Sequence, residues 1–238
     1  MYLTPQSLPE ALQLRAQHPQ AVVLAGATRV YALPAAQRPA DLLDLQHMGC
    51  NGLQWLGDEL HIGAMVPLHI LAASLTEHRG FTALRQGVLA ISPRQIRQQA
   101  TIGGNVAGSG SLLAPLALLG ARVQVASLRG VREVDVLQCD LAADELLTGV
   151  VVKGAAFPTS YRQFRRTPLG PALVAVAVGR DQGQLRLAIQ GVQAKVVLLT
   201  VAGNADLAQE LAQRSLPIGD SRASAEFRLA VLHALLRR

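Results

Sequence analysis

Apolar positions along the chain change period several times, and each change predicts an element. Leu8, Ala11, Leu12 and Ala16 recur at helical spacing, which predicts a short amphipathic helix over Leu8 to Gln17, stopped by His18-Pro19. The continuous apolar run Ala21 to Ala25, ended by Gly26, reads as a buried strand, and Asp41 to Leu45 as a second short one. Leu53 to Met65 reads as a hairpin turning at Gly57-Asp58. Pro67 opens a helix to about Leu75, and helical periodicity resumes from Phe81 to Ile91. Ser92-Pro93 is expected to cap a further short helix through Arg94 and Arg97, with Pro93 at its first position.

After the glycine-rich stretch Ala100 to Ser111 comes an apolar helix, Leu112 to Leu119, and then strands over Ala121 to Ala126, Val131 to Val136 and Leu146 to Val152. Composition shifts at Gly154 to Pro158, which predicts a domain boundary dividing residues 1–155 from 156–238. The second part reads as a three-strand meander near Tyr161–Arg166, Ala172–Gly179 and Gln184–Val192, turning at Arg180-Asp181-Gln182-Gly183. Helices over Asp206 to Gln213 and Ser221 to Leu236 finish the chain, the last capped by Asp220 and Ser221.

Composition narrows the classes of function. Half of the 238 residues are hydrophobic and 16% are charged, enough for a packed core. The net charge is +6, and all the basic residues except Lys153 and Lys195 are arginine. This balance favours a phosphate-bearing or acidic ligand. Nucleic acid is not expected as a partner, because aromatic residues are only 3% of the chain and the arginines are scattered. No apolar stretch is long enough to span a membrane, and Met1 to Pro9 has no secretory pattern, so a cytoplasmic protein without a membrane partner is expected. Cys50 and Cys139 form no C-x-x-C pair, so no zinc ribbon or cysteine-held cluster is expected, and no metal site.

Two segments stand out chemically. Leu24-Ala25-Gly26-Ala27-Thr28-Arg29 and Ala100-Thr101-Ile102-Gly103-Gly104-Asn105-Val106-Ala107 join small residues to backbone N–H groups at element ends. Small residues let a ligand approach the backbone, and successive N–H groups in such turns make concave anion sites. Thr28 and Thr101 add hydroxyls, and Arg29 adds charge. Together the segments could clasp a diphosphate, and a branched side chain at Gly103 or Gly104 would block it. The same pattern also fits tight turns in which packing leaves no room for a side chain. Neither a Rossmann fingerprint nor a P-loop is present. No histidine pair, carboxylate pair or nucleophile elbow appears, so no catalytic residue is assigned and a cofactor is expected to carry any chemistry. Asp140, Asp144 and Glu145 read as a solvated face.

Ile96-Arg97-Gln98-Gln99-Ala100-Thr101-Ile102-Gly103-Gly104-Asn105-Val106-Ala107 resembles the motif I-R-N-x-A-T-I-G-G-N-I-A of the FAD-binding (medium) subunits of molybdenum hydroxylases, the group of xanthine dehydrogenase and carbon monoxide dehydrogenase. Leu24 to Thr28, His61 to Ala64, Asp144 to Thr148 and Asp220 to Arg228 match further motifs of that family, in family order over nearly the whole chain. The resemblance implies an α+β fold. A two-lobed, PCMH-type FAD domain (lobes of about 1–55 and 56–155) would precede a small C-terminal domain with a three-stranded antiparallel sheet and helices.

The resemblance also implies FAD held by Leu24, Ala25, Gly26, Ala27, Thr28, Arg29, Val30, Ala100, Thr101, Ile102, Gly103, Gly104, Asn105, Ser109, Leu146 and Arg162. It implies partner subunits, a large one with the molybdenum cofactor and a small one with 2Fe–2S clusters, and NAD or oxygen as acceptor. Departures from the family bear on that site. Ala27 stands where a second glycine is usual, and Arg29 where Asp or Asn is common; Arg29 would either pair with phosphate or fill the flavin's space. Ser109 to Pro115 lacks the family's carboxylate, and Gln163 or Arg162 falls where a lysine near the flavin is common. The alternative is a degenerate member acting as a binding or assembly module without flavin. A stand-alone flavin reductase fits less well, for want of a proton donor near the motifs.

Overall fold

The structure is a computed structural model and describes residues 1–202, 210 and 218–237. Among the described residues, three sheets succeed one another along the chain. The first is parallel and short: β1 (Tyr2–Leu3), β2 (Val22–Leu24) and β3 (Leu42–Asp44), in the order β1-β3-β2. Helix α1 (Leu8–Gln17) crosses between β1 and β2. Its Ser7 cap accepts from the Glu10 N–H, and Ala11 is fully buried against Leu43 and Leu45. Helix α2 (Thr28–Tyr31) follows β2 directly.

The second sheet is antiparallel, in the order β4-β5-β8-β6-β7. Its strands are β4 (Leu53–Leu56), β5 (Glu59–Gly63), β6 (Arg122–Ser127), β7 (Gly130–Asp135) and β8 (Leu146–Lys153). Between β5 and β6 run α3 (Leu68–Ser74), α4 (Thr82–Leu89), α5 (Arg94–Gln99), α6 (Ile102–Ala107) and α7 (Leu113–Leu118). Leu60, Ile62, Val123, Val150 and Val152 alternate along their strands into one core with the α3, α4 and α7 side chains. Pro93 is the N-cap of α5 and the helix begins at Arg94, one position later than expected, with no side-chain cap.

The third sheet is an antiparallel meander of β9 (Thr159–Phe164), β10 (Val174–Asp181), β11 (Gln184–Gln190) and β12 (Val197–Ala202). It carries a fourth strand, β12, beyond the three expected. The run Val174-Ala175-Val176-Ala177 shows how it packs. Ala175 and Ala177 join the core around α4 and α7, where a small side chain lets the helices approach. Val174 and Val176 face the other way, onto Leu232 of α8 (Ala225–Leu236). One strand thus serves two cores by alternation.

Helix α8 starts at Ala225, four residues later than expected. Ser224 is its cap, accepting from the Phe227 N–H, whereas Asp220 closes the turn before it by accepting from the N–H groups of Arg222 and Ala223. Arg228, almost fully buried, explains the end of that motif: it donates to the carbonyls of Leu173 (3.0 Å) and Gly191 (2.7 Å) and to Asp220 (2.6 Å). The pairing with Arg222 and Arg228 holds the Asp220 carboxyl far below its usual range. The expected helix over Asp206 to Gln213 lies outside the described residues, Glu210 excepted. No helix among the described residues is long and apolar enough to cross a membrane.

Asp144 and Glu145, read as a solvated face, are ion-paired. Asp144 meets Arg129, and Glu145 accepts two bonds of 2.8 Å from Arg132 and one of 2.9 Å from the Ala142 N–H. The Glu145 side chain is only 9% exposed, and these donors, Arg132 above all, pull its pKa from 4.5 to about 2. A carboxyl depressed in the folded state stabilises fully above its unfolded pKa and loses that contribution as pH falls towards the folded one. The melting temperature should therefore drop between about pH 4.5 and pH 2. In Glu145→Gln, melting scans across the same range should show a flatter pH dependence.

Candidate functional site

Leu24 ends β2 in the first core, and the chain then turns sharply through Ala25, Gly26 and Ala27. A Cβ on Gly26 would lie 1.8 Å from the Gln99 carbonyl oxygen and 2.9 Å from the Cα of Ala100. The two glycine segments are thus in backbone contact, and Gly26 is required there for packing. Ala27 is the N-cap of α2 in the left-handed region, φ +53°, a conformation that favours glycine. From Gly26 to Val30, successive backbone N–H groups have no protein acceptor among the described residues; the first internal bond of α2 is Tyr31 N–H to Ala27 O. Such a run of free donors is an anion cradle.

The facing segment is built differently. Thr101 caps α6, and its hydroxyl oxygen accepts from the Gly104 N–H at 3.0 Å. Ile102 N–H donates to Val66 O, Gly103 N–H to Ala64 O and Asn105 N–H to Thr101 O. The donors expected to clasp a phosphate on this side are satisfied by the protein itself. Its two glycines also differ. A Cβ on Gly103 would lie 2.7 Å from the Ala64 Cβ and 2.8 Å from its carbonyl oxygen, so this glycine seats α6 against the end of β5. A Cβ on Gly104 would meet only Thr101 Oγ1, at 3.1 Å, and Ala25 Cβ, at 3.8 Å. Asn105 is a structural anchor, its Oδ1 accepting from the Leu112 N–H at 3.1 Å.

Between the segments runs an open groove of about 1380 Å3, above the roughly 300–1,000 Å3 of typical small-ligand sites. Leu24, Ala25, Gly26, Ala27, Thr28, Arg29 and Val30 line it, as do Ala100, Thr101, Gly103, Gly104, Asn105, Ser109 and Leu146. Two residues expected in the site lie elsewhere. Ile102 is fully buried in the core, pointing inward from α6. Arg162 does not line the groove, and its guanidinium donates to the Leu235 carbonyl of α8 at 2.7 Å. Its neighbour Gln163, on the opposite face of β9 by strand alternation, lines the groove instead.

The groove also takes in residues that no motif marks. Arg15 comes from α1, Cys139 from the chain after β7, and Arg165, Gln190 and Arg228 from the third sheet and α8. Among the described residues, three buried side-chain atoms have no hydrogen-bond partner: Arg15 Nε, Gln190 Oε1 and Arg228 Nε. All three residues line this groove, as expected of a surface shaped for a polar ligand. Burial pushes the thiol of Cys139 up, which leaves it a poor nucleophile. Most of the lining is apolar, but its charged residues are mainly basic, with Arg15, Arg29, Arg165, Lys195, Arg222 and Arg228 against Asp140 and Glu145, so the groove is suited to hold an anionic ligand.

A family model described as the FAD binding domain in molybdopterin dehydrogenase matches residues 1–152. The chain is 29% identical to the uncharacterized protein YgfM of Escherichia coli K12, over 99% of this chain and 93% of that protein. It is 27% identical to the nicotine 6-hydroxylase medium subunit of Paenarthrobacter nicotinovorans, over 100% of this chain and 94% of that one. Among solved structures, quinoline 2-oxidoreductase from Pseudomonas putida 86 superposes with a TM-score of 0.85 at 26% identity, over 100% of this chain and 94% of that one. Carbon monoxide dehydrogenase from Hydrogenophaga pseudoflava shares the fold, with a TM-score of 0.87 at 22% identity over the same shares.

Two substitutions separate packing from binding. Gly103→Val should destabilise the chain by about 1–3 kcal/mol or more through overpacking on Ala64, read as a lowered melting temperature. Gly104→Val should keep more of that stability while filling the space beside Ala25, so that ligand uptake falls in a folded protein. Relief of left-handed strain should make Ala27→Gly more stable by about 1 kcal/mol in denaturant melts.

Proposed function

The chain belongs to the family of FAD binding domains in molybdopterin dehydrogenases, and from that premise we propose that it relays electrons, as the FAD-binding subunit of a molybdenum hydroxylase-type enzyme, from the 2Fe–2S clusters of a small partner subunit to an acceptor such as NAD or oxygen. A large partner subunit carrying the molybdenum cofactor would oxidise the substrate. The observation that carries this reading is the run of free N–H groups from Gly26 to Val30 on the wall of a groove large enough for a dinucleotide. The nicotine 6-hydroxylase medium subunit, matched over 94% of its length, supports the same assembly.

The residues present fit FAD. The Gly26–Val30 N–H groups and the Arg29 guanidinium would hold the diphosphate, with the Thr28 hydroxyl as a further donor. Gly104 and Ala25 leave the backbone open to close approach from the groove. Gln163 and Gln190, from the third sheet, would bound the other end and help to exclude water. When bound, FAD supplies a ring that takes up and gives out electrons, so the chain itself needs no acid or base of its own. The chain binds and orients, and the partner subunits do the substrate chemistry.

Co-expression with the large and small subunits tests this. The chain should co-purify with both, carry roughly one FAD per copy, and release it on denaturation with a flavin absorption band. A colourless chain that also takes up no added FAD would instead support the assembly-module reading, which the internally satisfied N–H groups of residues 102–105 favour.

A further inference from the structure

The loop joining α6 to α7, Gly108-Ser109-Gly110-Ser111, borders the groove and is held from two directions. From the first sheet's side, Arg29 Nη1 donates to the Gly108 carbonyl. From the third sheet's side, Gln190 Nε2 donates to the carbonyls of Ser109 (3.2 Å) and Gly110 (3.1 Å). Ser109 sits in the left-handed region, φ +52°, so the loop does not rest in this shape by local preference alone. Only one of the two ties carries a charge. Arg29 is exposed, and no carboxylate pairs with it among the described residues. A guanidinium gains more from two phosphate oxygens in a forked pair than from one neutral carbonyl, by roughly twofold in strength.

We propose that Arg29 serves two acceptors in turn, the Gly108 carbonyl and the diphosphate of the dinucleotide when the groove holds it. This rests on the reading of the groove as an FAD site. The facing wall cannot substitute, because the N–H groups of Ile102, Gly103, Gly104 and Asn105 are already committed to protein acceptors. Arg29, on the wall whose N–H groups are free, is therefore the charged donor that reads the diphosphate. Its departure from Gly108 removes the tie to the first sheet's side and leaves the loop to Gln190 and to backbone bonds with α6, such as Gly110 N–H to Asn105 O, so ligand uptake loosens the loop that borders the groove.

The test compares wild type, Arg29→Ala and Arg29→Lys, each as the full chain stripped of flavin. Binding of FAD and of riboflavin, which has no phosphate, is measured at two salt concentrations, with hydrogen exchange across residues 105–113. Arg29→Ala should bind FAD roughly 10- to 100-fold more weakly than wild type and with less salt dependence, while riboflavin affinity stays the same. Arg29→Lys should fall between. Exchange in residues 105–113 should rise when wild type takes up FAD, and should already be raised in Arg29→Ala without it. A folded Arg29→Ala that binds FAD within about twofold of wild type would overturn the proposal, as would a loop whose exchange ignores both FAD and the substitution. Wild type that takes up no FAD would overturn the flavin reading and this proposal together; uptake by wild type with an unaffected Arg29→Ala overturns this one alone.

Discussion

The backbone contact between Gly26 and the Gln99–Ala100 peptide is the constraint on which the groove depends. With a Cβ placed 1.8 Å from a carbonyl oxygen, no other residue fits at position 26 without separating the two segments. That contact brings the turn after β2, in the parallel sheet, against the chain between α5 and α6, which belongs to the second sheet. Gly103 acts within the second unit, seating α6 on Ala64 and so fixing the wall that Gly26 meets. A cleft between two independently cored units would otherwise be free to open, since inter-domain contacts in a single chain are commonly loose. Here the absence of a side chain at Gly26 sets its width.

The two walls meet in this way but differ in chemistry. On one side, the turn from Gly26 to Val30 leaves its N–H groups without protein acceptors and adds the charge of Arg29. On the other, Val66, Ala64 and Thr101 take up the N–H groups at the start of α6, so this wall supplies shape and a close approach at Gly104 in place of an anion site. A satisfied helix start is rigid, because each bond ties it to β5, to the residues before α3 or to its own cap. The pairing of a rigid, satisfied wall with a donor-rich one lets a single segment govern how tightly an anion is held. It also concentrates any effect of Ala27 and Arg29, two of the departures from the family's pattern, on that segment.

The third sheet completes the groove through alternation. Small alanines of β10 face α4 and α7, valines face α8, and the same period of two turns Gln163 into the groove and Arg162 away from it. Arg228, on the buried face of α8, fixes the chain at Leu173, Gly191 and Asp220, and so holds the far end of the groove to the sheet. This accounts for an arginine in the C-terminal motif: a fully buried cation is tolerated when a carboxylate and two carbonyls surround it.

Most elements were legible from the periods of the apolar residues, because burial on one face leaves a local record at spacings of two or about 3.6. The hairpin at Gly57-Asp58, the three strands of the second half of its sheet and the meander through Arg180 to Gly183 follow from that record alone. The ordered motifs, from Leu24 through Asp220, carried the family and its cofactor. Other features had no local signal. The short α6 hides in a glycine-rich stretch that propensity reads as a loop, and β12 is a nearly unbroken apolar run whose alternation of buried and exposed positions emerges only on pairing with β11. Sequence by itself therefore determined which segments carry small residues, hydroxyls and charge. Tertiary structure alone decided which donors stay free, which glycine serves packing and which faces the groove, and where Arg29 and Arg162 point. Each of those outcomes depends on an acceptor or a neighbour distant in the chain (Val66, Ala64, Gly108, Leu235), and no local pattern encodes the partner a residue will meet.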